Sequence, residues 1–216
     1  MNAERSAVRP DERRAPRAGA LRTFLLAALR NPHRIGAIAP SSARLAAVLA
    51  SIVPTGGEPV VVELGPGTGA VSSAITARLS PGARHLAVEL DPEMAAFLRR
   101  HQAGVEVITG DARELGELLA EREIHRATAV ISGLPWSLFD SERQQHILQQ
   151  VAQAIGVNGV FTTFAYAHAK PLRSARAFRR ALERTFDEVQ VSRMVWQNTP
   201  PAFSYICRRP RLALQQ

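Results

Sequence analysis

Apolar and polar positions along the 216-residue chain switch regularly between two periods. Short β-branched or apolar runs predict strands at Pro59–Leu64, His85–Leu90, Val105–Ile108, Ala127–Ser132 and Gly159–Tyr166. Between them, apolar side chains at helical spacing predict helices over Ala70–Leu79, Pro92–His101, Arg113–Glu121, Ser141–Ile155 and Arg173–Thr185. Breakers such as Ser80-Pro81-Gly82, Ala103-Gly104 and Asn158-Gly159 separate them. This alternation implies an α/β domain with a doubly wound, mostly parallel sheet and helices on both faces. The pattern then changes. Phe186–Trp196, a Pro-Pro break and Ala202–Arg208 predict an antiparallel hairpin, which brings the sheet to seven strands.

Upstream, Leu21, Phe24, Leu25, Ala28 and Leu29 recur on one face and predict a helix over Leu21–Arg30, closed by Asn31-Pro32. A second helix opens at Ser41-Ser42 as its cap and runs to about Ile52. Residues 1–18 mix Arg, Asp, Glu and Pro and are expected to form a basic flexible tail. Residues 19–216 form a single domain in this reading, with the helices of residues 19–53 covering its site.

Composition adds a partner class. The formal charge is +8 and Lys170 is the only lysine, so the basic surface is arginine. Such a surface suits an anionic partner: a membrane, a nucleic acid or an acidic substrate. The one cysteine, Cys207, excludes an internal disulfide and any cysteine-rich metal site and fits a reducing cytosol. The histidines show no metal-ligand spacing, so no metal is expected. No apolar run is long enough for a membrane span.

The candidate chemistry gathers at the carboxyl ends of the predicted strands, where open α/β sheets bind ligands. The first strand, Val60-Val61-Val62-Glu63-Leu64, enters Gly65-Pro66-Gly67-Thr68-Gly69, a turn that lets backbone approach a ligand ahead of a helix N-terminus. The second ends in Glu89-Leu90-Asp91, the third in Gly110-Asp111-Ala112 and the fourth in Ser132-Gly133-Leu134-Pro135-Trp136. A carboxylate closing the second strand suits a ribose diol, and an acid after the third suits an exocyclic adenine amine. An adenosine cofactor follows, either NAD or S-adenosylmethionine. The aromatic side chains Trp136, Trp196, Tyr166 and Tyr205 are candidates to face a methylated ammonium, with Trp196 alternatively packing in its strand.

These four ordered motifs resemble the class I S-adenosylmethionine-dependent methyltransferases, whose sheet is Rossmann-like. Within that class Ser132-Gly133, the segment Gly36–Ser42 and Asn198–Tyr205 resemble bacterial phospholipid N-methyltransferases acting on phosphatidylethanolamine, and more distantly rRNA adenine dimethyltransferases. With the chain closing at residue 216, the additional C-terminal RNA-binding domain of the rRNA enzymes is not expected. The resemblance implies S-adenosyl-L-methionine as cofactor, held by Ser41, Glu63, Leu64, Gly65, Gly67, Gly69, Glu89, Leu90, Asp111, Ala112 and Ser132. Glu63 and Gly65 would hold the methionine end, Glu89 the ribose and Asp111 the adenine. Ser132, Leu134, Trp136 and Tyr205 would form the catalytic surface, with a backbone carbonyl near Gly133 or Leu134 and the Ser132 hydroxyl accepting the amine hydrogens. It also implies a monomer, peripheral at the cytoplasmic face of an anionic membrane, whose helix over Leu21–Arg30 docks with Arg22, Arg30 and Arg34 beside it. A methyltransferase for a soluble molecule or rRNA, and a non-catalytic binding module of the same fold, are the competing expectations.

Overall fold

Three consecutive valines and a leucine place apolar side chains on both faces of the first strand, β1 (Val60–Leu64), so it is stable only at the centre of a covered sheet. The computed structural model, which describes residues 41–169 and 171–211, puts it there. The expected tail, the helix at Leu21–Arg30 and Lys170 lie outside the described residues.

The chain runs through α1 (Ala43–Ala50), β1, α2 (Ala70–Thr76), β2 (Arg84–Glu89), α3 (Pro92–His101), β3 (Glu106–Thr109), α4 (Leu115–Ala120), β4 (Ala129–Ser132), α5 (Ser141–Ile155), β5 (Val160–Tyr166), α6 (Arg173–Thr185), β6 (Phe186–Val191) and β7 (Ala202–Pro210). The seven strands are ordered β3-β2-β1-β4-β5-β7-β6. The first five are parallel, and β7 is antiparallel to both β5 and β6. The chain leaves β1 toward β2 and β3, then returns to β4 on the other side. The switch point therefore lies between the carboxyl ends of β1 and β4.

Strand alternation divides the core. Val62 and Leu64 face a large layer built with α4, α5 and α6, whereas Val61 faces a smaller one with α1 and α2. α6 buries Phe178, Ala181 and Leu182 and turns its arginines outward.

Three helices begin and end where the sequence predicts: α3, α5 and α6. Asp91 and Asp140 cap the first two, accepting from Met94 N and Arg143 N. Other boundaries move for physical reasons. The segment predicted as a helix over Arg113–Glu121 starts as a 3₁₀ turn, Ala112–Glu114, because Asp111 caps it, and becomes α-helical only at Leu115. β6 ends at Val191 instead of Trp196. The ladder resumes only as a single bridge between Val195 and Ala202, and Trp196 swings out of the sheet. Among the described residues no helix is long and apolar enough to cross a membrane.

Candidate active site

Backbone hydrogen bonds carry the parallel ladder past the strand ends and fasten the loops there. Gly65 N donates to Val88 O, Gly110 N to Glu89 O and Gly133 N to Leu64 O, each at 2.8–3.0 Å. Leu64 is thus a buried strut that joins the glycine turn to the loop after β4. The two loops touch so closely that position 133 admits only glycine: a Cβ there would lie 2.6 Å from Gly65 O. Gly67 is different. Its φ is +56°, and a Cβ on it would meet nothing within 4 Å, so the turn leaves open space above it. Gly69 caps α2 in the left-handed region, and Gln102, just after α3, donates to its carbonyl at 3.3 Å.

Glu89 at the end of β2 is half-buried. Its Oε2 accepts from Gly67 N at 3.3 Å and its Oε1 from Asp91 N at 3.0 Å. Burial pushes its carboxyl above the ordinary value, against the opposing pull of the Asp91 and Gly67 amides. Leu90 beside it is exposed. Asp111 after β3 shifts the other way. Burial raises it, but hydrogen bonds from Arg113 and the charges of Arg113 and Arg143 outweigh this and hold it below the ordinary value. Arg113 grips its Oδ2 through Nε at 3.0 Å and a terminal nitrogen at 2.8 Å. Arg143 stands 3.6 Å from the same oxygen. Ala112 follows, buried, in the 3₁₀ turn.

Glu63 departs from its expected place. It points to the α2 face of the sheet at 1% exposure, where its Oε2 accepts from Ser72 Oγ at 2.7 Å and lies 3.2 Å from His85 Nε2. The reason is register: Glu63 pairs with Ala87 and His85 with Val61, so both side chains project beneath α2. In this structure the Glu63 carboxylate is thus tied to Ser72 of α2 and to His85 of β2. His85, to which the sequence assigned no role, is its partner.

The loop after β4 also rearranges the expected roles. Ser132 is fully buried and its Oγ accepts from Leu134 N at 3.2 Å, so its hydroxyl shapes the loop. Most of the loop's carbonyls are occupied: Ser132 O by Thr163 Oγ1, Leu134 O by Trp136 N, Pro135 O by Leu138 N, and Trp136 O by Gln144 Nε2. Gly133 O alone in Ser132–Trp136 accepts no hydrogen bond from a described residue. Leu134 is half-buried and covers Gly65.

The four aromatic candidates do not form one cage. Trp136 is 3% exposed; its ring stacks on Phe178 at 4.6 Å and meets Phe139 and Phe161 edge-on, while Nε1 donates to Thr163 Oγ1 at 2.9 Å. Tyr205, also buried, meets the same Phe178 edge-on at 6.2 Å. Burial pushes its phenol upward. Trp136 and Tyr205 are therefore brought together as buried rings around Phe178 of α6. Tyr166 stacks on His168 instead. Trp196, read as packing or as a cage wall, is 72% exposed. Ser41 precedes α1, whose cap residue Ser42 donates through its amide to Asn198 Oδ1 at 2.9 Å in the β6–β7 loop. Asn198, which the sequence offered only as the start of the Asn198–Tyr205 segment, is buried and makes this contact through its side chain.

A glycine turn at a switch point, a diol-compatible carboxylate and a second acid one strand further define an adenosine-cofactor domain. The chain matches a family model described as a methyltransferase domain over residues 61–159. It is 35% identical over 179 residues to an ornithine lipid N-methyltransferase from Singulisphaera acidiphila, covering 81% of this chain and 88% of that one. The fold matches the crystal structure of a precorrin-6y C5,15-methyltransferase from Geobacter metallireducens, with a TM-score of 0.59, 18% identity and coverage of 77% and 88%. It also matches Aeropyrum pernix fibrillarin solved with bound S-adenosyl-L-methionine, with a TM-score of 0.55, 15% identity and coverage of 75% and 72%. The chain belongs to the class I S-adenosylmethionine-dependent methyltransferases, and S-adenosylmethionine is its cofactor. The residues fit that group. Space is open above Gly67, and each Glu89 oxygen, holding one amide in the described structure, keeps a lone pair for a hydroxyl. Among the described residues no cluster of three or more His, Cys, Asp or Glu side chains is placed to hold a metal.

Proposed function

We propose that this enzyme methylates the amine of a lipid head group at the cytoplasmic face of a membrane, acting as a peripheral monomer. The 35% identity to an ornithine lipid N-methyltransferase, extending over 88% of that protein, carries this reading. Phosphatidylethanolamine presents the same primary amine and is the second acceptor class.

The residues take the following parts. Glu89 accepts from the ribose hydroxyls, and Asp111, fixed by Arg113, presents its remaining lone pairs to the adenine amine. Gly65, Gly67 and Gly69 carry the backbone past the methionine end, with Glu63, Ser72 and His85 bracing the turn from beneath. Bound S-adenosylmethionine supplies an electrophilic methyl on a sulfonium, which an amine nitrogen accepts in line as the carbon–sulfur bond breaks. The chain's task is therefore to hold a neutral amine with its lone pair aimed at that carbon. Gly133 O is the group for it: a carbonyl at the switch point whose lone pairs can take an N–H of the acceptor. The loop offers no side-chain base, so the proton leaves to solvent after transfer.

The test is methyl-labelled S-adenosylmethionine offered to ornithine lipid and phosphatidylethanolamine in mixed micelles, to a panel of soluble amines and to rRNA. Label in the lipid fraction supports the reading. Label only in a soluble amine or in RNA overturns it.

A further inference from the structure

Because β6 runs parallel to β5, with β7 reversed between them, the β6–β7 loop returns to the same sheet edge as the cofactor turn. Six large apolar side chains are exposed among the described residues. Five of them, Leu90, Leu138, Leu172, Val191 and Trp196, lie at or just after the carboxyl end of a parallel-running strand. Only Val157, between α5 and β5, lies at the opposite edge. Such clustering of apolar side chains on one rim marks a surface that meets a partner.

Charge indicates which partner. The three segments that meet on the α1–β6–β7 side of this rim, residues 41–53, 167–180 and 191–202, contain no Asp or Glu. They carry Arg44, Arg173, Arg176, Arg179, Arg180 and Arg193, all exposed. Hydrogen bonds join the segments: Ser42 N donates to Asn198 Oδ1 and Ala167 N to Pro201 O at 2.8 Å. An open cleft of ≈ 350 Å³ lies between Arg44 and Val48 of α1 and the loop residues Ser192–Gln197. A second copy of this face would set arginine against arginine, which disfavours self-association through it.

Trp196 stands on a firm base. Its neighbour Val195 is buried and bridges to Ala202, its N donating at 2.7 Å, and Asn198 is buried with Nδ2 donating to Pro200 O at 2.7 Å. A loop anchored in this way holds an indole ring out in water, beside Arg44 and Arg193 at the cleft and on the same edge of the sheet as the cofactor turn. An indole ring favours the head-group region of a bilayer, and arginines beside it meet lipid phosphates.

We infer that this rim, centred on Trp196, is a docking surface for an anionic bilayer that seats the active-site mouth on the membrane plane. The inference rests on the proposed lipid acceptor, and it concerns residues distinct from the N-terminal helix expected to bind membranes.

The full-length protein tests it, because its two tryptophans differ so sharply in exposure. Vesicles of phosphatidylglycerol and of phosphatidylcholine, each with brominated acyl chains, are added while indole emission is followed. The expected result is a blue shift and strong quenching with phosphatidylglycerol vesicles, lost in Trp196→Phe, where only the buried Trp136 reports. Trp196→Ala combined with Arg193→Glu should weaken vesicle binding about tenfold or more, and added salt should weaken wild-type binding. Both variants should methylate lipid in mixed micelles at the wild-type rate. A bound protein whose Trp196 stays unquenched, or a double variant that binds vesicles like wild type, overturns the docking surface. If micellar lipid is methylated in that case, the functional reading stands without it. Quenching without any lipid methylation keeps the docking surface and removes the functional reading.

Discussion

At the carboxyl ends of β3, β2 and β1 the site is made of backbone and carboxylates; at the carboxyl ends of β4, β5 and β6 and the amino end of β7 it is made of aromatic rings and arginines. The first half places Gly65, Gly67, Glu89 and Asp111 within one network of loop amides. Each position there is held by the backbone turn or by hydrogen bonds from nearby loop amides. The second half buries Trp136 and Tyr205 around Phe178 and leaves Trp196 in solvent. There, side-chain direction depends on which neighbour arrives, and that neighbour comes from far along the chain. Cofactor recognition is thus local and stereotyped, whereas the acceptor side is assembled by tertiary packing.

The sharpest way to break this contrast is Trp136→Ala. If Trp136 is core, its loss opens a cavity and costs about 3–5 kcal/mol of stability, read from urea denaturation. An unchanged midpoint would return the ring to the open site. Next comes Gly133→Ala, which forces a Cβ against Gly65 O and displaces both loops. Turnover should fall about 100-fold, the scale of a displacement near 1 Å in a positioning site, measured as single-turnover methyl transfer at saturating cofactor. Wild-type turnover would remove Gly133 from the acceptor surface.

A smaller effect separates the two acids. Glu89→Gln should weaken cofactor binding by about 1–3 kcal/mol by calorimetry. The effects of the two acids on stability should have opposite signs. Glu89 has a raised folded-state pKa, so its contribution is complete below the ordinary glutamate value and is lost as pH rises through the raised one. Asp111 has a lowered pKa, so its contribution is present above the ordinary aspartate value and is lost as pH falls through the lowered one. At neutral pH without cofactor, Glu89→Gln should therefore stabilise the fold and Asp111→Asn destabilise it. Changes of the same sign in both variants would refute this account. The smallest effect closes the comparison of the tryptophans: Trp196→Ala should move stability by no more than about 0.5 kcal/mol, against several for Trp136→Ala.

Strand–helix alternation, the breakers between elements and the position of the glycine turn were legible in the residues themselves, because they depend on periodicity and on steric freedom within a few positions. So were the sheet's parallel character, the final hairpin and the adenosine cofactor, since acids at successive strand ends follow from the βα repeat. The Glu63–His85 pair was not legible. It lies 22 residues apart in sequence and exists only because the β1–β2 register sets Val61 opposite His85. The same holds for Ser132 and Trp136. Their motif named the loop, but only its contact with Gly65, Thr163 and Phe178 decided that the serine hydroxyl and the indole are buried. Sequence determined which loops gather at the switch point; the packing of β4, β5 and α6 against one another decided which atoms of those loops face it. Backbone path is set by local sterics, whereas the direction of a side chain is set by the volume its distant neighbours leave.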